Sequence, residues 1–177
     1  MKKLLVVVDY QNDFVSGSLG FPKAAQLEEA IVKKIEDYRA AGDDVVFTLD
    51  THGSDYLSTQ EGKNLPVEHC IKGTDGWQLY GRVAALAEGC QKFEKETFGS
   101  DSLYKYLKEN PYESIELCGL VSNICVVSNA VLAKTAQPQT PVLVDARCTA
   151  ALDEATNEKT LDVMAGFQVQ ITNRPAL

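Results

Sequence analysis

The chain has 177 residues, of which 45% are hydrophobic and 24% are charged, a composition typical of a soluble globular protein and unlike that of a disordered chain. A single domain spanning residues 1–177 is therefore expected, with a well-filled core. The formal net charge of −8 argues against a nucleic-acid or anionic-membrane partner, because a surface of this sign repels phosphate groups.

The first apolar run, Leu4–Val8, ends at Asp9 and is too short for the core of a signal peptide. No other apolar stretch approaches the roughly 18 residues that cross a bilayer. We therefore expect a cytoplasmic protein. Its five cysteines are widely spaced and form no Cys-x-x-Cys pair, which predicts free thiols rather than disulfides.

Apolar runs alternate along the chain with segments of helical period. Six strands are predicted near Lys3–Val8, Asp44–Leu49, Cys90–Phe93, Ser114–Cys118, Pro141–Val144 and Gln168–Ile171. Five helices are predicted near Ala25–Ala41, Gln78–Ala87, Ser102–Glu109, Asn123–Thr135 and Asp153–Ala165. This order predicts a three-layer α/β/α fold, in which helices cover both faces of a central, mainly parallel, six-stranded sheet.

The segment Thr51–Trp77 interrupts this order, because it holds no convincing periodic element. Long loops of this kind inside compact domains are uncommon and are usually functional. In an open α/β sheet the ligand lies outside the carboxyl ends of the strands. The residues predicted at these ends are Asp9 after the first strand, Asp50 and His52 after the second, Lys95 after the third, and Gly119–Cys125 after the fourth.

Cys125 is the candidate nucleophile. The predicted strand breaks at Gly119, and a helix begins by Ser122 or Asn123, which are both good N-cap residues. In the first turn of a helix, the macrodipole and free N–H groups lower the pKa of a thiol. The N–H groups of Val121 and Cys125 could also bind an oxyanion. The alternative is a structural cysteine buried in the core.

A thiol hydrolase also needs a base, and the two histidines of the chain are better explained by a metal site. Asp9 can accept the thiol proton if burial raises its pKa. The Lys95 ammonium would stabilise the thiolate and hold Asp9 in place. Taken singly, an Asp at a strand end is often a cap, and a Lys is usually solvated; Lys92 competes with Lys95 for the role.

The metal candidate begins with Asp50 and His52, which lie two residues apart and point to the same side of extended backbone. His69 would return from the long loop, and Glu61 could complete the site or bridge to it through water. Two histidines and a carboxylate with open positions suit Zn²⁺, Fe²⁺ or Mn²⁺. The alternative is that both histidines are ordinary polar loop residues.

Four motifs in this order are similar to those of one family. They are Val7–Phe14, Asp50–His52 together with Leu65–Thr74, Lys95–Phe98, and Gly119–Cys125. Through them nearly the whole chain resembles the isochorismatase-like cysteine hydrolases, and within that family the nicotinamidase/pyrazinamidase branch.

The resemblance implies an isochorismatase-like, Rossmann-like fold and a cysteine amidohydrolase that deamidates nicotinamide, and also pyrazinamide, in cytoplasmic NAD salvage. It implies one divalent metal ion, zinc first, with manganese or iron as alternatives. The roles it assigns are catalysis for Asp9, Lys95 and Cys125, the oxyanion hole for Val121 and Cys125, substrate contact for Phe14 and Phe98, and metal binding for Asp50, His52, His69 and Glu61. A cis peptide is expected before Val121.

Two features depart from the family pattern. The segment after Lys95 is shorter than in many relatives, and Pro66 stands where the family often has an aromatic residue of the substrate site. A rival interpretation is therefore a related cysteine hydrolase acting on another small amide or carbamoyl compound. A second rival is a non-catalytic domain of the same fold, and assembly into a homo-oligomer is left open.

Overall fold

A computed structural model describes residues 1–174, and its centre is one six-stranded sheet. The strands are β1 (Leu4–Val8), β2 (Asp44–Asp50), β3 (Lys92–Lys95), β4 (Ile115–Leu120), β5 (Val142–Ala150) and β6 (Gln170–Thr172). Their spatial order is β3-β2-β1-β4-β5-β6, and every neighbouring pair is parallel. The predicted fold class is confirmed, and the sheet is parallel throughout rather than mainly so.

Helices cover both faces of this sheet. They are α1 (Asn12–Val15), α2 (Pro22–Gln26), α3 (Glu28–Ala40), α4 (Gln60–Asn64), α5 (Gly81–Leu86), α6 (Asp101–Glu109), α7 (Val127–Ala136) and α8 (Glu154–Gly166). Strand β1 shows why its sequence is apolar throughout: Leu5 and Val7 enter the core cluster beneath α3, whereas Leu4, Val6 and Val8 enter the cluster beneath α7 and α8. A strand that feeds two cores has no polar face. None of these helices is long and apolar enough to cross a membrane.

Several element boundaries differ from the sequence prediction. The first long helix is two helices, because Pro22, with its fixed φ, starts a separate short one. Strand β3 begins at Lys92 rather than Cys90 and reaches Lys95, and it buries only alternate residues, so its apolar signal is short. Strand β5 extends to Ala150 across a shift in its register with β4, which the apolar run could not show.

The segment between β2 and β3 contains more structure than was predicted. Two 3-10 turns, Tyr56–Ser58 and Asp75–Trp77, flank the five-residue helix α4. Each of these elements is too short to display a helical period in sequence. Residues at the carboxyl ends of β1 to β4 share one edge of the sheet with this segment, and that edge carries the candidate site.

Candidate active site

Asp9, Lys95 and Cys125 meet at the carboxyl edge of the sheet. The Lys95 Nζ lies 2.6 Å from the Asp9 Oδ2 and 3.5 Å from the Cys125 Sγ. It also donates a hydrogen bond of 2.9 Å to the carbonyl of Thr97. The three residues are only 0%, 4% and 5% exposed, so a buried ammonium stands between a carboxylate and a thiol.

Asp9 is held in a left-handed conformation, with φ at 46°, directly after the last residue of β1. Its Oδ1 accepts a hydrogen bond of 2.7 Å from the Thr48 hydroxyl. Its Oδ2 lies 2.6 Å from the Lys95 Nζ, and both side chains are buried. Burial raises the pKa of Asp9, and the Lys95 charge offsets this only in part. A buried carboxylate oxygen of raised basicity is suited to accept a proton.

The Cys125 thiol lies in a π-helical turn, Ser122–Val126, that leads into α7. Burial raises its pKa well above the ordinary value, and the Asp9 charge raises it further, while Lys95 acts in the opposite direction. The sequence-based expectation that the helix would lower this pKa is therefore wrong for the resting site. Burial disfavours the thiolate, so the resting group is a thiol beside a base.

The approach to this turn requires a glycine. Gly119 has a φ of +108°, and a Cβ there would lie 2.0 Å from the carbonyl oxygen of Val8. The peptide between Leu120 and Val121 is cis, as the family resemblance implied. The Val121 N–H donates no hydrogen bond to any described protein group. Val121 and Cys125 both line one cavity of about 260 Å³.

Sequence reasoning missed two buried polar residues that hold this arrangement. Thr48 supports Asp9, and Asn129 donates hydrogen bonds of 2.8 Å to the Cys125 carbonyl and 3.1 Å to the Phe98 carbonyl. Asn129 is fully buried on a helix face otherwise made of small apolar residues. An asparagine four residues after the nucleophile on such a face was the available signal.

The four predicted metal ligands, Asp50, His52, Glu61 and His69, also lie together, with one ligand atom of each within 4.8 Å of the others. The Asp50 Oδ2 is 2.9 Å from the His52 Nε2 and 3.3 Å from the His69 Nε2. The Glu61 Oε1 is 3.8 Å and 3.6 Å from the same two nitrogens. Two imidazoles and two carboxylates converging on one point fit a divalent ion such as zinc, manganese or iron.

The orientation and ionisation of these groups support this fit. The His69 Nδ1 lies 2.8 Å from the carbonyl of Val67, a contact in which Nδ1 donates and leaves Nε2 free as a ligand. Burial raises the pKa of Asp50, but hydrogen bonds with His52 and His69 outweigh it and hold that pKa below its usual value. Burial and the neighbouring Asp50 raise the pKa of Glu61. A bound cation would relieve this repulsion between carboxylates.

We call Asp9, Lys95 and Cys125 the thiol group, and Asp50, His52, Glu61 and His69 the metal group. Asp50 lies between the two groups and contacts both. Its Oδ2 faces the histidines, whereas its Oδ1 lies 3.4 Å from the Lys95 Nζ. Because Asp50 is the last residue of β2 and pairs in register with Lys95, the last residue of β3, the sheet fixes this shared carboxylate. The metal group and the thiol group are therefore joined by one rigid residue.

The 260 Å³ cavity connects the two groups. One end is lined by Cys125 and Val121, and the metal group contributes Asp50, Glu61 and His69. The predicted substrate contacts, Phe14 and Phe98, both line it, and Leu65 rather than Pro66 contributes to the wall. A second cavity, of about 660 Å³, adjoins the first and shares Glu61, Leu65, Phe98 and Ile124 with it. The 260 Å³ cavity is small and mostly apolar with a few convergent polar groups, as expected for a small ligand.

Comparison with known proteins finds a matching family model and relatives of similar fold. The family model described as the isochorismatase domain matches residues 3–175. The isochorismatase family protein PncA of Bacillus subtilis is 33% identical over 144 residues, covering 74% of this chain and 78% of that protein. The nicotinamidase/pyrazinamidase of Mycobacterium tuberculosis is 27% identical over 187 residues, covering 96% and 97%. The crystal structure of nicotinamidase PncA from Bacillus subtilis matches with a TM-score of 0.85 at 29% identity, covering 97% and 99%.

Proposed function

The chain belongs to the isochorismatase family, and we propose that it is a cysteine amidohydrolase that converts nicotinamide into nicotinate and ammonia, with pyrazinamide as a second substrate. One observation carries this proposal: the buried Asp9 and Lys95 meet Cys125, and Cys125 lines a small cavity to which Asp50, Glu61 and His69 also contribute. We place the reaction in the cytoplasm, in the salvage of nicotinamide for NAD.

The carboxamide carbon is attacked by Cys125. Asp9 accepts the thiol proton, and the sulfur forms a bond to the carbon while the amide oxygen becomes negative. The Val121 and Cys125 N–H groups stabilise that oxygen. Asp9 then returns the proton to the nitrogen, the C–N bond breaks, and ammonia leaves a thioester on Cys125.

Water completes the reaction. Asp9 accepts a proton from the attacking water, and the new C–O bond forms. The C–S bond then breaks to release nicotinate, and Asp9 returns the proton to the departing sulfur, which restores the carboxylate and the thiol. Lys95 remains charged throughout, since its neighbours Asp9, Cys125 and Asp50 raise its pKa against the effect of burial. Its charge stabilises the sulfur whenever the sulfur is negative, and it keeps Asp9 in position.

Asp50, His52, Glu61 and His69 would hold the metal ion, for which zinc is the first choice and manganese or iron are alternatives. When bound, the ion supplies a Lewis acid for the lone pair of the pyridine nitrogen, directly or through water. Phe14 and Phe98 pack beside the ring. Together these residues orient the carboxamide toward Cys125, and orientation of this kind can supply a large part of a rate enhancement.

Ammonia release from nicotinamide, measured on purified protein together with its metal content, tests the proposal. We expect Cys125→Ala to abolish release while the fold is kept, and Cys90→Ala, which removes a free thiol outside the site, to retain it. Release by the Cys125 variant would refute the nucleophile. Wild-type protein that hydrolyses other small amides or carbamoyl compounds but not nicotinamide would favour the related cysteine hydrolase. A Cys125 inert toward iodoacetamide at neutral pH, with no amide hydrolysed, would favour a non-catalytic domain.

A further inference from the structure

The Gln11 side chain is fully buried, and all of its hydrogen-bonding groups are used. Its Oε1 accepts a hydrogen bond of 2.8 Å from the Asp50 N–H. Its Nε2 donates one of 2.9 Å to the Asp50 carbonyl and one of 2.8 Å to the Trp77 carbonyl. One carboxamide therefore binds both main-chain polar groups of a proposed metal ligand.

These contacts replace a missing rung of the sheet. The parallel pairing of β1 with β2 ends at Val8 and Thr48, and the Asp9 N–H still donates to the Thr48 carbonyl. In a regular parallel ladder the next bond would run from the Asp50 N–H to the Asp9 carbonyl. The chain turns away at Asp9, whose carbonyl accepts from the Gln11 N–H instead. The Gln11 side chain then takes the place that the main chain has left.

The third hydrogen bond reaches the end of the long loop that carries Glu61 and His69. The Trp77 carbonyl accepts it, and the Trp77 indole N–H donates to the Thr51 hydroxyl, which follows Asp50 directly. Gln11 thus ties together the end of β1, the end of β2 and the return of the loop. A buried N–H and two carbonyls would lose their partners without it.

We propose that Gln11 is a positioning residue that fixes the Asp50 carboxylate between the histidines and Lys95, and so sets the metal affinity of the site. The inference rests on the proposed function for the identity of the site. Gln11 touches neither the substrate cavity nor a metal-ligating atom in this arrangement. Residues that orient metal ligands from outside the ligand set typically contribute 10- to 100-fold in affinity or activity.

The test is a Zn²⁺ titration, against a competing chelating dye, of metal-stripped protein that circular dichroism shows to be folded. Gln11→Met keeps the approximate size of the side chain and removes its donors, and we expect the Zn²⁺ dissociation constant to rise at least about tenfold. The KM for nicotinamide should rise more than kcat falls. Asn12→Ser is the matched control, because Asn12 donates a single hydrogen bond to the same loop, at the Asp75 carbonyl, and has none to Asp50.

A Gln11→Met dissociation constant within twofold of the wild-type value would overturn the inference. Should that variant not fold, Gln11→Glu, which keeps the shape and the Oε1 acceptor but not the amide donors, replaces it under the same criterion. If neither variant folds, Gln11 is a folding residue and the positioning role is refuted. Wild-type protein that binds Zn²⁺ but releases no ammonia from nicotinamide would refute the proposed reaction and leave the assignment of Gln11 standing.

Discussion

The thiol group and the metal group share one edge of the sheet but are built in different ways. Asp9 and Lys95 lie at strand ends, and Cys125 follows β4 by a short turn, so the parallel register places all three. In the metal group only Asp50 lies on a strand, whereas Glu61 and His69 lie in the segment between β2 and β3. Strand register therefore brings the first group together, with Thr48 and Asn129 as local supports, while the second depends on side-chain contacts that hold a long loop.

The largest loss of activity is expected from a substitution in the thiol group. Asp9→Asn removes the base and leaves the buried Lys95 with only the more distant Asp50, so ammonia release should fall by about 10³-fold or more. The free energy of unfolding should fall by about 3 kcal/mol, because a buried charge loses its main partner. Activity assays and denaturant unfolding measure the two effects.

Asp37→Asn is the matched control, since Asp37 pairs with Lys33 at 2.7 Å on the surface, where both side chains are more than half exposed. Its loss should cost less than about 1 kcal/mol and no activity. Normal thioester formation by the Asp9 variant would count against Asp9 as the base.

An intermediate loss of activity is expected from a substitution in the metal group. His52→Ala, or treatment with a strong chelator, should lower kcat/KM for nicotinamide by about 10²-fold, because substrate orientation is lost while the thiol group stays intact. Iodoacetamide should still modify Cys125 at close to the wild-type rate. Glu68→Gln is the control, since Glu68 is an exposed carboxylate beside His69 outside the metal group.

If neither the His52 substitution nor the chelator changed the activity, the metal would have no role in the reaction. If Cys125 alkylation were lost together with activity, the thiol group would depend on the metal group. That result would contradict the view that the two groups are held independently.

The smallest effect is expected at the cavity wall. Phe98 is 44% exposed and Phe14 is 8% exposed, although both line the cavity. Phe98→Ala should raise the KM several-fold and lower the free energy of unfolding by about 1 kcal/mol, because nearly half of this residue is already exposed. Phe14→Ala should cost about 3 kcal/mol or more in addition to its effect on KM. Equal stability losses in the two variants would contradict this difference in burial.

The same contrast explains what could be predicted from sequence. Strand ends are readable because apolar runs stop at Asp9 and near Asp50, and a parallel sheet brings such ends together. Helix α4 and the two 3-10 turns were missed because they span too few residues to show a period. The supports from Thr48 and Gln11 are hydrogen bonds between distant segments, which no local pattern encodes. Asn129 had only a weak local signal, as a polar residue on an apolar helix face four residues after Cys125. The pKa direction of Cys125 was mistaken because burial depends on the packed core rather than on position in a helix.

The shared carboxylate of Asp50 has a consequence for which isomers of the substrate can react. Under the proposed function, one end of the molecule must reach the ion and the other must reach the sulfur, and Asp50 fixes the separation of these two points because it is rigid in β2. Strand β2 therefore sets the distance between the metal site and the sulfur. With the ring nitrogen ortho or para to the carboxamide, we expect that the nitrogen cannot face the metal site while the carboxamide carbon faces Cys125. The positional isomers of nicotinamide should therefore bind without the alignment that attack requires.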